Sequence, residues 1–150
     1  MSSDSSLLES AYNIIKVSVT YNEFYTKFSS TQVKNILEYA YETYRETISL
    51  GHSTKDKQLI NLLCVYVARQ AVKSYLHTGQ KLVEELLKID DLEKAVDLLR
   101  YVSWLFDILS NISKEDKNKE KINKEKISNL IKSDSFEEFL KALSNPQISK

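Results

Sequence analysis

A chain of 150 residues is long enough for one hydrophobic core and shorter than the roughly 250 residues beyond which chains divide into domains. Hydrophobic residues make up 42% of it and charged residues 28%, which is typical of a folded protein rather than a disordered or membrane-spanning one. The 21 basic and 21 acidic side chains cancel, so a polyanion site must arise from where the charges lie rather than from their sum.

Residues that form turns are scarce. Two glycines and one proline are too few for the chain reversals of a many-stranded β fold, which favours helices. No apolar run approaches the about 20 residues that cross a bilayer, and the start of the sequence lacks the basic segment of an export signal. We therefore expect an all-α protein, located in the cytoplasm and making no contact with a membrane.

Capping signals and helical periodicity predict a compact bundle of about five to six helices. Ser6 and Glu9 have the spacing of a capping box, which predicts a first helix continuing to about Phe24. The alternating β-branched residues 17–21 also fit a strand. A second helix follows a cap at Ser29, and its apolar residues recur every three or four positions until a glycine ends it.

The third predicted helix runs through Leu59 to Gly79. Its apolar residues occupy most of the helix circumference, which indicates a helix enclosed by others at the centre of the bundle. A short helix is predicted over residues 80–88, and Asp90 with Glu93 has the spacing that caps a longer one.

The last third of the sequence changes composition. Trp104, on the longer helix, is expected as a core or interface anchor. Lysines interleaved with acids mark residues 112–132 as an exposed connector, and Asp134 is expected to cap a final helix. We expect residues 1–111 to form the bundle core, and residues 112–150 to form the connector and a C-terminal helix on or near it.

No arrangement of residues typical of catalysis is found. His52 and His77 are a whole helix apart and have no acidic residue at ligand spacing, so no metal site is expected. Cys64 lies in an apolar stretch that would raise the pKa of its thiol, which favours a buried inert residue over a nucleophile. The sequence lacks glycine-rich phosphate-binding motifs, so no cofactor is predicted. We expect a protein that is not an enzyme.

Charge is distributed unevenly along the chain. No acidic residue occurs between Lys57 and Val83, whereas over residues 84–107 acidic residues outnumber basic ones by seven to three. Arg69 and Lys73 lie four positions apart, on one side of the third predicted helix. Cations without intervening acids suit contact with phosphates, because a neighbouring carboxylate would cancel the gain from counterion release. The alternative is that these long side chains keep one edge of a buried helix in water.

The candidates for contact with a nucleic-acid backbone lie on the second and third predicted helices. They are Arg69, Lys73, Lys57, Tyr66, Lys34 and Arg45. Three glutamates on the second helix weaken the case for the last two. The tyrosine could stack on a base, although aromatic residues at helical spacing more often pack in cores.

Three short segments of the sequence carry recognisable motifs. Residues 30–37 open a helix with Ser-Thr-Gln, an aliphatic residue and a lysine; residues 63–70 hold a tyrosine three positions before an arginine; residues 101–106 are rich in aromatic side chains. Over about residues 28–111 the chain resembles the small helical subunit of type III CRISPR effector complexes, especially of the Csm-type branch.

The resemblance implies a non-catalytic role. Copies of such a subunit would stack along the guide RNA, support the duplex of guide and target RNA, and connect other subunits of the complex. Arg69 is the implied RNA contact, and Lys34 follows by position where the family would have an arginine, which keeps the charge but loses bidentate geometry. Two alternatives remain open: a helical protein-interaction module whose basic and acidic faces meet between copies, and the small subunit of a DNA-targeting CRISPR complex.

Overall fold

A computed structural model describes residues 4–49, 56–113, 124–131 and 135–144. In these ranges the chain forms seven α-helices: α1 (Asp4–Thr20), α2 (Ser30–Ser49), α3 (Asp56–Ala71), α4 (Leu76–Leu87), α5 (Leu92–Ser113), α6 (Lys124–Leu130) and α7 (Phe136–Leu143). The predicted all-α helical bundle is confirmed. Over the same residues, none of the helices combines the length and the apolar character needed to span a bilayer.

The centre of the bundle is α5, which packs against α1 and α2 and also contacts α3 and α6. Its buried residues occur on several sides of the helix, as expected for a helix with neighbours around it. They are Leu92, Ala95, Val96, Leu98, Leu99, Tyr101, Val102, Leu105, Phe106 and Leu109. The prediction of a central α3 was wrong, because α3 buries Ile60, Leu63 and Val67 but leaves Leu62 and Val65 exposed.

The first helix differs from its predicted bounds at both ends. It begins at Asp4, so Ser6 lies within the helix rather than at its cap, and it ends at Thr20, short of its predicted end. The β-branched residues before Thr20 are helical, which excludes the alternative strand. Asn22 and Tyr25 then adopt positive φ angles of 59° and 72°, a conformation that turns the chain away from the helix.

Side-chain caps mark the starts of α2 and α5. Ser29 Oγ accepts a hydrogen bond from the Gln32 amide at 3.4 Å, as predicted. The cap of α5 is Asp91, whose Oδ1 accepts from the Glu93 amide at 2.8 Å. Asp90 was the predicted cap, one position too early, because the helix begins at Leu92. A second carboxylate, that of Asp56 on α3, accepts from the Leu92 amide at 3.0 Å.

A carboxylate from α1 lies at the start of α7. Ser135 Oγ caps this helix by accepting from the Glu138 amide at 3.2 Å, whereas the predicted cap, Asp134, lies outside the described residues. The Phe136 amide donates to both carboxylate oxygens of Glu9 at 3.2 Å. Glu9 therefore stabilises the start of α7, where the exposed amides favour a negative charge.

The predicted boundary at Gly79, between the third helix and the short helix over residues 80–88, was wrong: the break lies at residues 72–75, where α3 and α4 meet at a corner. α3 ends at Ala71 and α4 begins at Leu76, so Gly79 lies inside α4 rather than at the end of a helix. A Cβ atom at Gly79 would overlap the Cβ of Ala71. The absence of a side chain at Gly79 therefore lets α4 cross close to the end of α3.

Gly79→Ala is expected to lower the free energy of unfolding by about 1–3 kcal/mol, because the new methyl group must displace Ala71. An alanine usually stabilises a helix interior by about 0.5–1 kcal/mol over glycine, so the sign of the change separates the two effects. Denaturant unfolding followed by circular dichroism measures it. The double variant Ala71→Gly/Gly79→Ala should recover most of the loss; equal instability of the single and double variants would contradict the steric explanation.

Candidate functional site

Two of the candidate cations lie exposed at the corner after α3. Arg69 is in the last turn of α3, and Lys73 follows in the turn, where its amide donates to the Gln70 carbonyl at 3.1 Å. Both side chains are exposed. Neither forms an ion pair with a carboxylate in the described part of the chain. Their charges therefore face solvent.

The packing of α2 against α3 places Lys34 toward the same end as Arg69. The ring of Tyr39 on α2 stacks on that of Tyr66 on α3, with centroids 4.4 Å apart and planes at 17°. Only residues 50–55 separate the two helices in sequence, so they run side by side in opposite directions. Lys34 precedes the stack on α2 as Arg69 follows it on α3, and both are exposed.

Arg45 and Tyr66 are placed less favourably for contact with a nucleic acid. Arg45 lies on the other side of the stack, about 16 Å from Lys34 along the axis of α2 at about 1.5 Å per residue. It shares an open groove with Glu38 and Glu42, whose charges oppose phosphate binding. Tyr66 is half-buried and its ring is engaged in the stack described above, so it packs the two helices together.

Lys57 has a structural role. Its Nζ donates to the carbonyl oxygens of Leu87 at 2.6 Å and Ile89 at 3.1 Å, and it lies 3.6 Å from Asp90 Oδ1. The ammonium group thereby satisfies carbonyls at the C-terminal end of α4, where a positive charge is favourable. We leave Lys57 out of the candidate surface, which consists of Arg69, Lys73 and Lys34.

An apolar stripe runs along the outer face of α3. Leu62, Val65 and Val72 are 54%, 63% and 67% exposed. Val72 is the first residue after α3, and its amide still donates to the Ala68 carbonyl at 3.1 Å, as in a helix. The spacing of three and seven residues therefore puts the three side chains on one face, with Arg69 between the two valines. We call these three apolar residues the α3 stripe. Adjacent exposed apolar side chains on a helix are typical of a surface that binds another macromolecule.

A second exposed surface lies on α5. Trp104 is 53% exposed, so it is not a core residue, and its ring contacts that of Tyr101 at 5.4 Å between centroids. Asp107, three residues further on, is also exposed. By contrast, Arg100, one turn before Trp104, is engaged within the chain and donates to the Tyr41 hydroxyl at 2.8 Å. Trp104 and Asp107 form what we call the Trp104 face.

A buried carboxylate holds the start of α4. Glu23 is only 3% exposed. It accepts hydrogen bonds from the amides of His77 at 3.0 Å and Thr78 at 2.7 Å, and from the Thr78 hydroxyl at 2.6 Å. His77 Nδ1 lies 2.9 Å from the same carboxylate, and the imidazole stacks on Tyr21 with centroids 3.9 Å apart. This cluster fixes the corner that carries the two exposed cations.

The pKa of Glu23 reflects these contacts. Burial alone would raise the pKa of this carboxyl group, but the hydrogen bonds from Thr78 and His77 outweigh burial and hold the pKa below its ordinary value. Glu23 is therefore ionised at neutral pH. It brings an acid to a stretch that has none in sequence, but its charge is buried and shared among its donors, so it competes little with a polyanion at the surface.

The residues considered for catalysis are in ordinary surroundings. Cys64 is buried, as predicted, and burial raises the pKa of its thiol. Over the part of the chain that the structure describes, no three His, Cys, Asp or Glu side chains are grouped to hold a metal ion. His52 and residues 114–123 of the lysine-rich connector lie outside that part. The expectation that the connector is exposed was wrong for its second half, because residues Lys124–Leu130 form α6, and Ile127, Leu130 and Ile131 are buried in the core.

Each of the three motifs lies on a helix: the first begins α2, the second lies in the second half of α3 and the third lies within α5. Comparison with models of protein families, with curated proteins and with solved structures finds no match to this chain. The resemblance to CRISPR small subunits therefore rests on the three motifs alone.

Glu23→Gln is expected to destabilise the chain by about 2 kcal/mol, because a neutral amide replaces a charged acceptor and turns its NH₂ group toward donors. Thermal and urea unfolding measure the change. Glu42→Gln, at an exposed position on α2, is the matched control and should change stability by less than about 0.5 kcal/mol. An equally small effect at Glu23 would show that the corner does not depend on this carboxylate.

The contribution of Glu23 is expected to depend on pH in a definite direction. Because its pKa is lowered in the folded chain, the stabilisation is present above the pKa of unfolded glutamate, about 4.3, and is lost as the pH falls through the lower folded value. Unfolding free energies of wild type and Glu23→Gln, measured over a pH series, should therefore differ by a constant amount near neutrality and converge in acid. A difference that widened in acid would contradict an ionised Glu23.

Proposed function

We propose that this chain is a non-catalytic small subunit of a CRISPR RNA-guided interference complex, which binds the backbone of guide and target RNA and stacks with further copies of itself. The observation that carries the proposal is the exposure of Arg69, the residue that the motif resemblance singles out. The RNA contacts would be to phosphate and sugar, because the guide supplies the sequence information.

The electrostatics at the corner support this proposal. The guanidinium of Arg69 offers paired donors to a phosphate, Lys73 adds a second charge four residues away, and Lys34 lies toward the same end of the helix pair. Three cations give one copy only modest affinity. Copies that stack on one strand bind with much higher avidity, because each further contact is nearly intramolecular.

A helical protein-interaction module without RNA contact is the second candidate, and the α3 stripe is the observation that favours it. Phosphate and sugar need cations and hydrogen-bond donors, whereas exposed leucine and valine side chains gain from burial against another apolar surface. The stripe and Arg69 lie on the same face of the chain around α3. A subunit that binds both RNA and protein would use both.

RNA binding is tested by filter titration of labelled single-stranded RNA over a range of salt concentrations. We expect retention that falls with salt, and a loss of affinity in Arg69→Glu/Lys73→Glu. If each cation contacts one phosphate, the double variant should reduce the slope of log K against log salt by about 1.4, or about 0.7 for each contact on a single strand.

The matched control is Lys94→Glu/Lys141→Glu, which makes the same change in net charge on α5 and α7 and should retain binding. Single-stranded DNA of the same sequence separates an RNA-guided complex that contacts RNA from one that contacts DNA. Wild-type chain that shows no salt-dependent retention at high concentration, or equal losses in the two double variants, would contradict a phosphate-binding corner.

A further inference from the structure

The α3 stripe and the Trp104 face are complementary in character. The stripe combines exposed aliphatic side chains with the guanidinium of Arg69, and no acid occurs in its part of the sequence, between Lys57 and Val83. The other face combines an exposed indole with the carboxylate of Asp107. It lies in residues 84–107, where acidic side chains outnumber basic ones. One surface therefore offers exposed aliphatic side chains beside a cation, and the other an exposed indole beside an anion.

The spacing of the apolar and charged groups also matches. On α3, Val65 precedes Arg69 by four residues; on α5, Trp104 precedes Asp107 by three. In both helices about one turn, or roughly 5–6 Å, separates the apolar group from the charge. An indole seated against Val65 and Val72 would therefore leave Asp107 within reach of Arg69, so that an apolar contact and an ion pair form together.

The two surfaces do not cover each other within one chain. Trp104 and the residues of the α3 stripe all remain more than half exposed, although α3 and α5 are neighbours in the bundle. Contact between them thus needs a second molecule that carries the same pair of surfaces. Because the two surfaces differ, such a contact is heterologous, and it leaves one stripe and one Trp104 face free at the ends.

We infer that the α3 stripe of one copy binds the Trp104 face of the next, with the indole packed against Val65 and Val72 and Asp107 paired to Arg69. The inference rests on the self-stacking in the proposed function and adds to it the two surfaces that meet. The contact is head-to-tail and forms without RNA. Arg69 carries five N–H donors, so its guanidinium can pair with Asp107 through one edge and donate to a phosphate through the other.

Complementation between two blocked variants tests this pairing. Val65→Glu blocks the stripe and keeps the Trp104 face; Trp104→Ala does the reverse. By sedimentation velocity in the absence of RNA, wild type should form species that grow with concentration, whereas each variant alone should remain at the 17.4 kDa of one chain. An equal mixture of the two variants should form a dimer of one copy of each, through the one intact pair of surfaces.

Controls separate the pairing from folding and from RNA binding. All substituted side chains are exposed, so circular dichroism should show unchanged helix content, and Leu140→Glu, at an exposed apolar position on α7, should assemble like wild type. Wild type that stays monomeric up to its solubility limit, or a mixture that fails to dimerise, overturns the pairing. A mixture that dimerises while wild type fails to retain RNA overturns the RNA contact alone.

Charge exchange tests the ion pair separately. Arg69→Glu and Asp107→Arg should each lose most self-association when alone. The double variant Arg69→Glu/Asp107→Arg should regain it, because the new carboxylate on α3 of one copy then meets the new guanidinium on α5 of the next. Loss that persists in the double variant overturns the pairing of Arg69 with Asp107.

Discussion

The corner between α3 and α4 depends on one buried carboxylate. Glu23 has lost nearly all contact with water, and an ionised group in that position is stable only because two amides, a hydroxyl and an imidazole replace the water. These partners all belong to the first turn of α4, so the carboxylate fixes where that helix starts. The chain bends there, and Arg69 and Lys73 lie at an exposed corner rather than along one continuous helix.

Sequence patterns were sufficient for the fold class and for the helices whose limits are set locally. The cap at Ser29 begins α2 where it was expected, because a hydroxyl and an amide three residues apart are enough to define a helix start. The break after Ala71 could not be predicted, since residues 72–75 contain neither glycine nor proline. Its causes are the tertiary contacts of Glu23 and the close crossing at Gly79, and neither leaves a signal in the neighbouring sequence.

In the candidate site, too, features set by neighbouring residues were predictable from the sequence, and features set by tertiary contacts were not. The acid-free stretch around Arg69 was visible in the sequence. The structural use of Lys57 was not, because its acceptor carbonyls lie 30 and 32 residues away. The apolar circumference of α3 was correctly seen but wrongly interpreted as burial within the chain. Periodicity reports that a helix face is apolar; it does not report whether that face is covered.

The order of synthesis gives the Glu23 contact a further consequence. Glu23 leaves the ribosome 55 residues before Thr78, so the carboxylate is made long before the amides that it accepts from. Until α4 has emerged, nothing in the sequence directly after Ala71 ends the helix there, since it holds neither glycine nor proline, and a nascent chain is free to continue α3 past this point. The bend, and with it the outward orientation of the basic residues, is therefore acquired late, when the second half of the protein folds back onto the first.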